Sequence, residues 1–442
     1  MVEKKHTRAQ FATRLGVIAT TVGSAVGLGN MWRFPYEAGN GGGGAFMLLY
    51  ILFILLLGIP VICAEFVIGR ETRSNVLGAF KQLKTSRFWQ IIGYIGILSS
   101  LMILSFYSVV AGWTIEYFVQ SIVGNISSDV NFHEQFVGFT TGWRALLWTV
   151  VFLLINLLVI IRGVRKGLER MSNIMMPLLF IIIIIFCINS LTMPGASQGL
   201  DFLFRPDLSK FSWNVVLSAL GQAFFSLSIG LGCMLTYASY FNDKTNIVRS
   251  AAATAGLDTL VAILAGIMIF PAVFTFGMSP AEGPTLMFEV LPRIFSMMPA
   301  GAIWATLFFF MLFLESLSST ISMSEISITF LTEQGRLSRS KACIVCTAIA
   351  LFFGSLCALS FGPLERLNLF NLFNNISSNV LLPIGGMLIS IFVGWILDRG
   401  VLRRQLTNNE SIRVPMFKLI IFCLKFVAPV CLAIILIMGL IG

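Results

Sequence analysis

The chain alternates long apolar runs with short polar connections. At about 20 apolar residues per membrane crossing, the runs predict eleven helices. They lie near 13–38, 43–70, 88–121, 143–161, 167–190, 213–241, 246–276, 301–332, 338–359, 374–398 and 414–441. Residues 277–300 carry Pro280, Gly283, Pro284, Pro292 and Pro299. That spacing of breakers predicts an external loop with short helical pieces, able to fold over a cavity mouth.

Two of the apolar runs are poor helices. In the first, Gly23, Gly27 and Gly29 recur within one stretch, with Asn30 and Arg33 close behind. Each glycine costs about 1 kcal/mol against alanine in a helix. In hydrocarbon an unpaired amide is expensive, so a broken helix survives only inside protein or beside a cavity. The stretch is therefore either an unwound binding segment or a close-packing seam of small residues. The second poor helix is Gln222 to Gly232, five spans later, where Ser226, Ser228, Gly230 and Gly232 replace the apolar stripe. Interrupted segments in corresponding positions of two halves point to an inverted-repeat transporter with its site at the midplane. The expected organisation is a cytoplasmic segment at 1–12, repeats at 13–190 and 213–398, and a last helix at 414–442. No letter-by-letter repeat supports it, so the symmetry rests on the two breaks.

Composition strengthens the membrane assignment. Of 442 residues, 57% are hydrophobic and 11% charged, and the mean hydropathy is +0.89. Soluble domains carry about 25% charged residues. The class is therefore an all-α polytopic membrane protein. The net charge of +10 is not a nucleic-acid signal, because the basic residues cluster in alternate loops. That positive-inside pattern places the N-terminus in the cytoplasm. An odd number of spans then puts the C-terminus outside, in a multi-pass protein of the cell inner (plasma) membrane surrounded by lipid. Residues 1–14 are polar and basic, and the run after them is too long for a signal h-region, so no cleavable leader is expected. All eight cysteines fall in apolar helices, which argues against a structural disulfide. Cys343 and Cys346 form a CxxC whose apolar helix offers no further ligands, so packing is its expected role. His6 and His133 lie in polar segments and suggest no zinc or triad chemistry.

The remaining polar groups suit a cation and a zwitterion. Breaking the first helix frees carbonyls near Gly23, Ala25 and Val26. Asn30, Ser226 and Asp258 add side-chain oxygens, and Ser316, Ser318, Ser319, Thr320 and Ser322 crowd the eighth helix. Hard oxygen ligands without thiolate or imidazole argue against a transition metal. The amides around Leu28 and Gly29, where the helix resumes, suit a carboxylate. The freed carbonyls, with those near Phe225 and Ser226, suit an ammonium group. An α-amino acid satisfies both. Arg33, Glu65, Asp258, Glu315 and Glu325 are intramembrane charges and so functional candidates, whereas Lys425 is assigned no role.

The combined pattern resembles the neurotransmitter:sodium symporter family along essentially the whole chain. The matching stretches are Arg14-Leu15-Gly16, GSAVGLGNMWRFP (23–35), NGGGGAF (40–46), GIPV and EFVIGR (58–70), IIRGVRKGLER (160–170), GQAFFSLSIGLG and TYASY (221–240), and Glu315 to Ser319. Eleven spans resemble the bacterial amino-acid branch. The resemblance implies a LeuT-type fold with helices 1 and 6 unwound at mid-membrane, no enzyme activity, no cofactor, and two sodium ions as coupling ions. Sodium 1 would take Ala25, Asn30, Ser226 and Asp258. Sodium 2 would take Gly23, Val26 and Glu315 through carbonyls, with Ser318 and Ser319. Substrate would lie against Ser24, Ala25, Leu28, Gly29, Ile103, Tyr107, Phe225, Ser226, Ser228, Leu231, Ser319 and Met323. Tyr107 would hold its carboxylate and Phe225 would form the outer lid. Gates would form at Arg33 with Asn374, and at Arg8 with Glu333 near Phe11 and Tyr240.

Three departures from the family pattern stand out. Asn371 and Asn374 occupy the place of the outer-gate acid. Asp258 brings its own negative charge to a sodium site. Glu315 is an extra acid. The apolar Ile103, Leu231 and Met323 favour a bulky hydrophobic or aromatic amino acid, while Ser24 and Ser319 would favour a smaller or hydroxylated one. A sodium channel would need a continuous polar pore. A receptor or enzyme would need a signalling domain or catalytic cluster.

Overall fold

The structure is a computed structural model that describes residues 10–83, 86–126, 130–279 and 287–441. Among the described residues nine helices are long and apolar enough to cross a membrane, and one bent pair adds a tenth crossing. The bent pair is α1 (Arg14–Ala25) with α2 (Gly29–Asn40), angled by 54°. After it come α3 (Gly44–Thr72), α4 (Arg87–Val123), α5 (Trp143–Ile160) and α6 (Val164–Leu191). The segment expected as a single span at 213–241 is divided into α7 (Trp213–Ser226) and α8 (Cys233–Ala238), each too short to cross alone. The chain continues through α9 (Ile247–Thr275), α10 (Gly301–Glu333), α11 (Arg339–Leu359), α12 (Glu365–Ile396) and α13 (Phe417–Leu440). Among the described residues nine of the eleven expected spans are thus continuous helices, the first is the bent pair, and the segment at 213–241 forms no single helix of spanning length.

Local chemistry sets several boundaries. Thr13 caps α1 by accepting the Gly16 N–H at 2.8 Å, and Asn246 caps α9 by accepting the Arg249 N–H at 2.9 Å. Such caps satisfy amides that have no partner in the first turn. Helix α12 starts at Glu365 rather than near 374, because Leu369–Asn375 are helical as well. In the connection at 277–300 a short helix forms at Val290–Met297, and 280–286 fall outside the described residues.

Burial sorts the helices into an interior and a rim. In α4 the most apolar window is 78% buried, whereas in α13 it is 28% buried, so α4 is central and α13 peripheral. Helix α1 packs between α9, α6 and α10, and α10 packs along α4. Leu154, Leu158, Ile181, Ile188, Val430 and Ile437 remain exposed on α5, α6 and α13. Apolar surface of that extent on helices satisfied within themselves faces lipid. The interior is the reverse of a soluble core. Thr20, Thr21, Ser24, Asn30, Glu65, Gln222, Asp258, Glu315, Thr320, Ser324 and Glu325 are all buried at its centre.

Candidate functional site

The first break begins at Val26, which turns to extended backbone (φ −64°, ψ 123°). Its freed groups find partners across space. The Gly27 N–H donates to Asn30 Oδ1 at 3.1 Å, and the Leu28 N–H donates to the Tyr107 hydroxyl at 3.0 Å. The Gly23 carbonyl accepts from Ser318 Oγ at 2.6 Å. The Ser24 and Val26 carbonyls accept from Ser228 and Ser319, both at 3.2 Å. A side chain at Gly23 would strike Ser318 Oγ, and one at Gly27 would strike Ser319 Oγ. Unwinding and close approach are therefore both present, and the glycines serve both.

The second break is held differently. Helix α7 stops at Ser226, residues 227–232 run as turns, and Ser228, Gly230 and Gly232 take positive φ of 51°, 86° and 84°. The fully buried Glu65 of α3 accepts the Gly230 N–H at 2.8 Å and the Leu235 N–H at 3.2 Å. A side chain at Gly230 would run into the Leu382 carbonyl and lie 2.7 Å from the Gly386 nitrogen, both backbone atoms that cannot step aside.

Between the breaks lies a compact oxygen-rich cluster. Asn30 Nδ2 donates to Asp258 Oδ1 at 2.9 Å, and lies 3.1 Å from Ser226 Oγ and from the Asp258 carbonyl. Ser226 Oγ donates to Asp258 Oδ2 at 2.6 Å, and the Tyr50 hydroxyl reaches the same oxygen at 3.5 Å. Tyr50 was missed by sequence reasoning, because it sits in the unbroken apolar run of α3 with no local signal. Gln222 Nε2 donates to the Gly29 carbonyl at 3.0 Å and braces the resumed helix α2 from α7. One turn before Ser318 on α10, Glu315 is fully buried and both its carboxyl oxygens accept no hydrogen bond.

Beside this cluster is a small cavity of about 40 Å³. Its wall contains Ala25, Gly29, Ile103, Tyr107, Phe225, Ser226, Ser228, Leu231, Ser319 and Met323, together with Gly27 and Leu382, which were not expected. The wall leaves out Ser24 and Leu28. Ser24 is buried, with its carbonyl on Ser228, and Leu28 spends its N–H on Tyr107. Leu382 gave no signal, being one of many apolar residues in α12.

The outer of the two expected gates differs from expectation in its partner. The Arg33 guanidinium lies 4.7 Å above the Phe225 ring, and its Nε is 3.4 Å from Glu37 Oε1. Glu37 is in turn held by Ser218 at 2.5 Å. Asn374 is turned to its own helix and accepts from Ser378 at 3.3 Å. The acid beside Arg33 thus comes from one turn along α2, not from α12. At the other expected gate Phe11 is buried edge-on against Tyr240 and Tyr237 and donates its N–H to the Tyr240 carbonyl at 3.1 Å. The Tyr240 hydroxyl donates to Glu325 at 2.6 Å, and Arg339 pairs with Glu325 at 2.7 Å. Arg8 lies outside the described residues. Glu333 Oε2 accepts from the Asn75 N–H at 2.8 Å and from the Asn75 side chain at 2.7 Å.

The pattern of the Sodium:neurotransmitter symporter family matches residues 8–135 and 130–442. The sodium-dependent transporter YhdH of Bacillus subtilis (strain 168) is 38% identical over 441 residues, which is 98% of either chain. A sodium-dependent transporter of Haemophilus influenzae is 34% identical over 460 residues, covering both chains fully. The crystal structure of MhsT in complex with L-phenylalanine superposes with a TM-score of 0.90 at 41% identity, covering 98% of this chain and 100% of that one.

Proposed function

Because the chain belongs to the sodium:neurotransmitter symporter family, whose members are secondary transporters and not enzymes, we propose that it carries a neutral amino acid inward on two sodium ions by alternating access. The observation that carries this is the facing of the two breaks across one cavity, with oxygens from both in its wall. The first sodium would be held by Asn30, Ser226, Asp258 and the Ala25 carbonyl. The second would be held by the Gly23, Val26 and Glu315 carbonyls with the Ser318 and Ser319 hydroxyls. Both sets are all oxygen, as a hard cation requires. Two hydroxyl-to-carbonyl hydrogen bonds, Ser318 to Gly23 and Ser319 to Val26, already draw four of the second set together. A cation entering there would take those oxygens over and tie α10 to the break in the first helix.

The substrate carboxylate would be met through Tyr107. Its hydroxyl accepts from Leu28 and keeps its own proton to donate. The ammonium group would face carbonyls at the breaks. Ile103, Leu231, Met323 and Leu382 make the rest of the wall apolar, which favours a bulky hydrophobic or aromatic side chain. MhsT was crystallised with such a molecule, L-phenylalanine. Sodium and substrate would share ligands, so each would tighten the other's binding by the same factor. Two sodium charges crossing ~100 mV would supply roughly 4.6 kcal/mol, at ~2.3 kcal/mol each. The expected repeats are α1–α6 and α7–α12, with the N-terminus cytoplasmic.

The test is uptake into proteoliposomes. Radiolabelled L-phenylalanine should enter saturably under an inward sodium gradient and not under a potassium gradient, with no unitary currents. Competition by the twenty amino acids should rank aromatic and large aliphatic ones first. Uptake that ignores sodium would reject symport, and a ranking led by serine or alanine would reject the substrate class.

A further inference from the structure

The buried acids of this interior are not treated alike. Glu65 receives two backbone N–H groups. Asp258 receives Asn30, Ser226 and Tyr50. Glu325 receives Arg339 and Tyr240. Glu315 is equally buried, yet neither of its carboxyl oxygens has a donor. An ionised carboxylate taken out of water with no donor and no counter-charge is among the most costly things a fold can hold.

The position of Glu315 says where a counter-charge belongs. Ser318 and Ser319 follow it by three and four residues on one continuous helix, so all three share a face of α10. That face looks onto the first break, where Ser318 and Ser319 hold the Gly23 and Val26 carbonyls. Asp258 and Tyr107 lie within electrostatic reach of the Glu315 carboxyl. The four oxygens of the Gly23–Val26–Ser318–Ser319 cradle are uncharged. A monovalent cation among them would leave one positive charge buried without compensation, and Glu315 is the acid beside it that has no other partner.

We propose that the Glu315 carboxylate is the fixed counter-charge of the cation bound where α10 meets the first break. This rests on the sodium-symport reading and deepens it. Each sodium then has its own carboxylate, Asp258 for the first and Glu315 for the second, and neither needs a mobile anion. It also gives α10 a reason to carry an acid that the hydroxyl cradle alone does not require.

Sodium binding to the purified protein tests this, with choline as the replacing cation, followed by thermal unfolding and by scintillation proximity with radioactive sodium. Glu315→Gln keeps the shape and removes the charge. It should raise the sodium concentration for half-saturation at least tenfold and lower the number of sodium ions bound. In choline it should unfold no earlier than wild type, because the carboxyl it replaces makes no hydrogen bond. Half-saturation within twofold of wild type would overturn the proposal, as would a chloride requirement in the wild type when gluconate replaces it. Should Glu315→Gln not fold, Glu315→Asp keeps the charge but draws it back by one methylene. Weaker sodium binding with an altered lithium-to-sodium preference would support the role, and unchanged values of both would overturn it. A wild type with no response to sodium would reject symport itself. A Glu315→Gln protein that matches the wild type in half-saturation and in the number of sodium ions bound rejects only the role given to Glu315.

Discussion

The two interrupted helices solve the same problem with opposite means. At the second break a buried carboxylate, Glu65, holds two amides, and positive-φ residues set the path of the chain. At the first break the freed carbonyls are held by the hydroxyls of Ser318, Ser319 and Ser228, and the freed amides by Asn30 and Tyr107. Hydrogen bonds to a charged group are worth about 1.5–3 kcal/mol and neutral ones about 0.5–1.5. The second break is thus built as a fixture. The first is built from partners that a cation can replace one for one, since a hydroxyl that donates to a carbonyl can turn its lone pair to an ion. Were the proposed sodium to bind at the first break, one half-site would stay shaped while the other reads whether sodium is present.

That division fails or sharpens under mutation, and the largest effect is expected at the fixture. Glu65→Ala leaves two buried amides without acceptors, at about 1–3 kcal/mol each. It should abolish the folded peak in size-exclusion chromatography in sodium and in choline alike. Rescue by sodium would show that the second break is ion-dependent too. Gly230→Ala should behave the same way, because a side chain there has positive φ and no room.

Asn30→Ala is expected to come next. It removes the acceptor for Gly27 and the donor to Asp258 at once. The protein should still fold, with the sodium concentration for half-maximal uptake raised tenfold or more; unchanged sodium dependence would remove Asn30 from the site. Ser318→Ala should raise the same quantity several-fold and leave the unfolding temperature in choline within a few degrees of wild type. A fall in choline as large as for Glu65→Ala would erase the contrast between the breaks. The smallest effect is expected from Tyr107→Phe, which removes one neutral donor worth ~1 kcal/mol. The dissociation constant for L-phenylalanine at saturating sodium should rise roughly fivefold, with the sodium dependence little changed.

Much of the candidate site was conspicuous before any fold was known, and for a physical reason. Lipid makes an unpaired peptide group costly, so glycines, serines and an asparagine inside an apolar run are conspicuous. Gly23 to Asn30, Ser226 to Gly232 and Ser318-Ser319 stood out in that way, and the structure draws them together around one cavity. Tyr50 and Leu382 did not stand out in the same way. Each is an ordinary residue of its own helix and acquires a role through a neighbour far away in the chain. Arg33 shows both cases. Its charge was conspicuous, and its partner Glu37 was available at i+4, yet family resemblance directed attention to Asn374 on α12. Ser24 shows the limit of position alone, since its hydroxyl lies outside the cavity wall while the residues on either side of the break line it.

What the chain determined by itself is therefore local: which segments enter the membrane, where two of them cannot stay helical, and which oxygens lie near those failures. These follow from transfer free energies and backbone propensities, which act residue by residue. Only the tertiary structure decided who satisfies the freed groups. It set Glu65 against one break and exchangeable hydroxyls against the other, and left Glu315 with no donor. Those outcomes depend on contacts between residues tens to hundreds of positions apart, and nothing in local propensity encodes them.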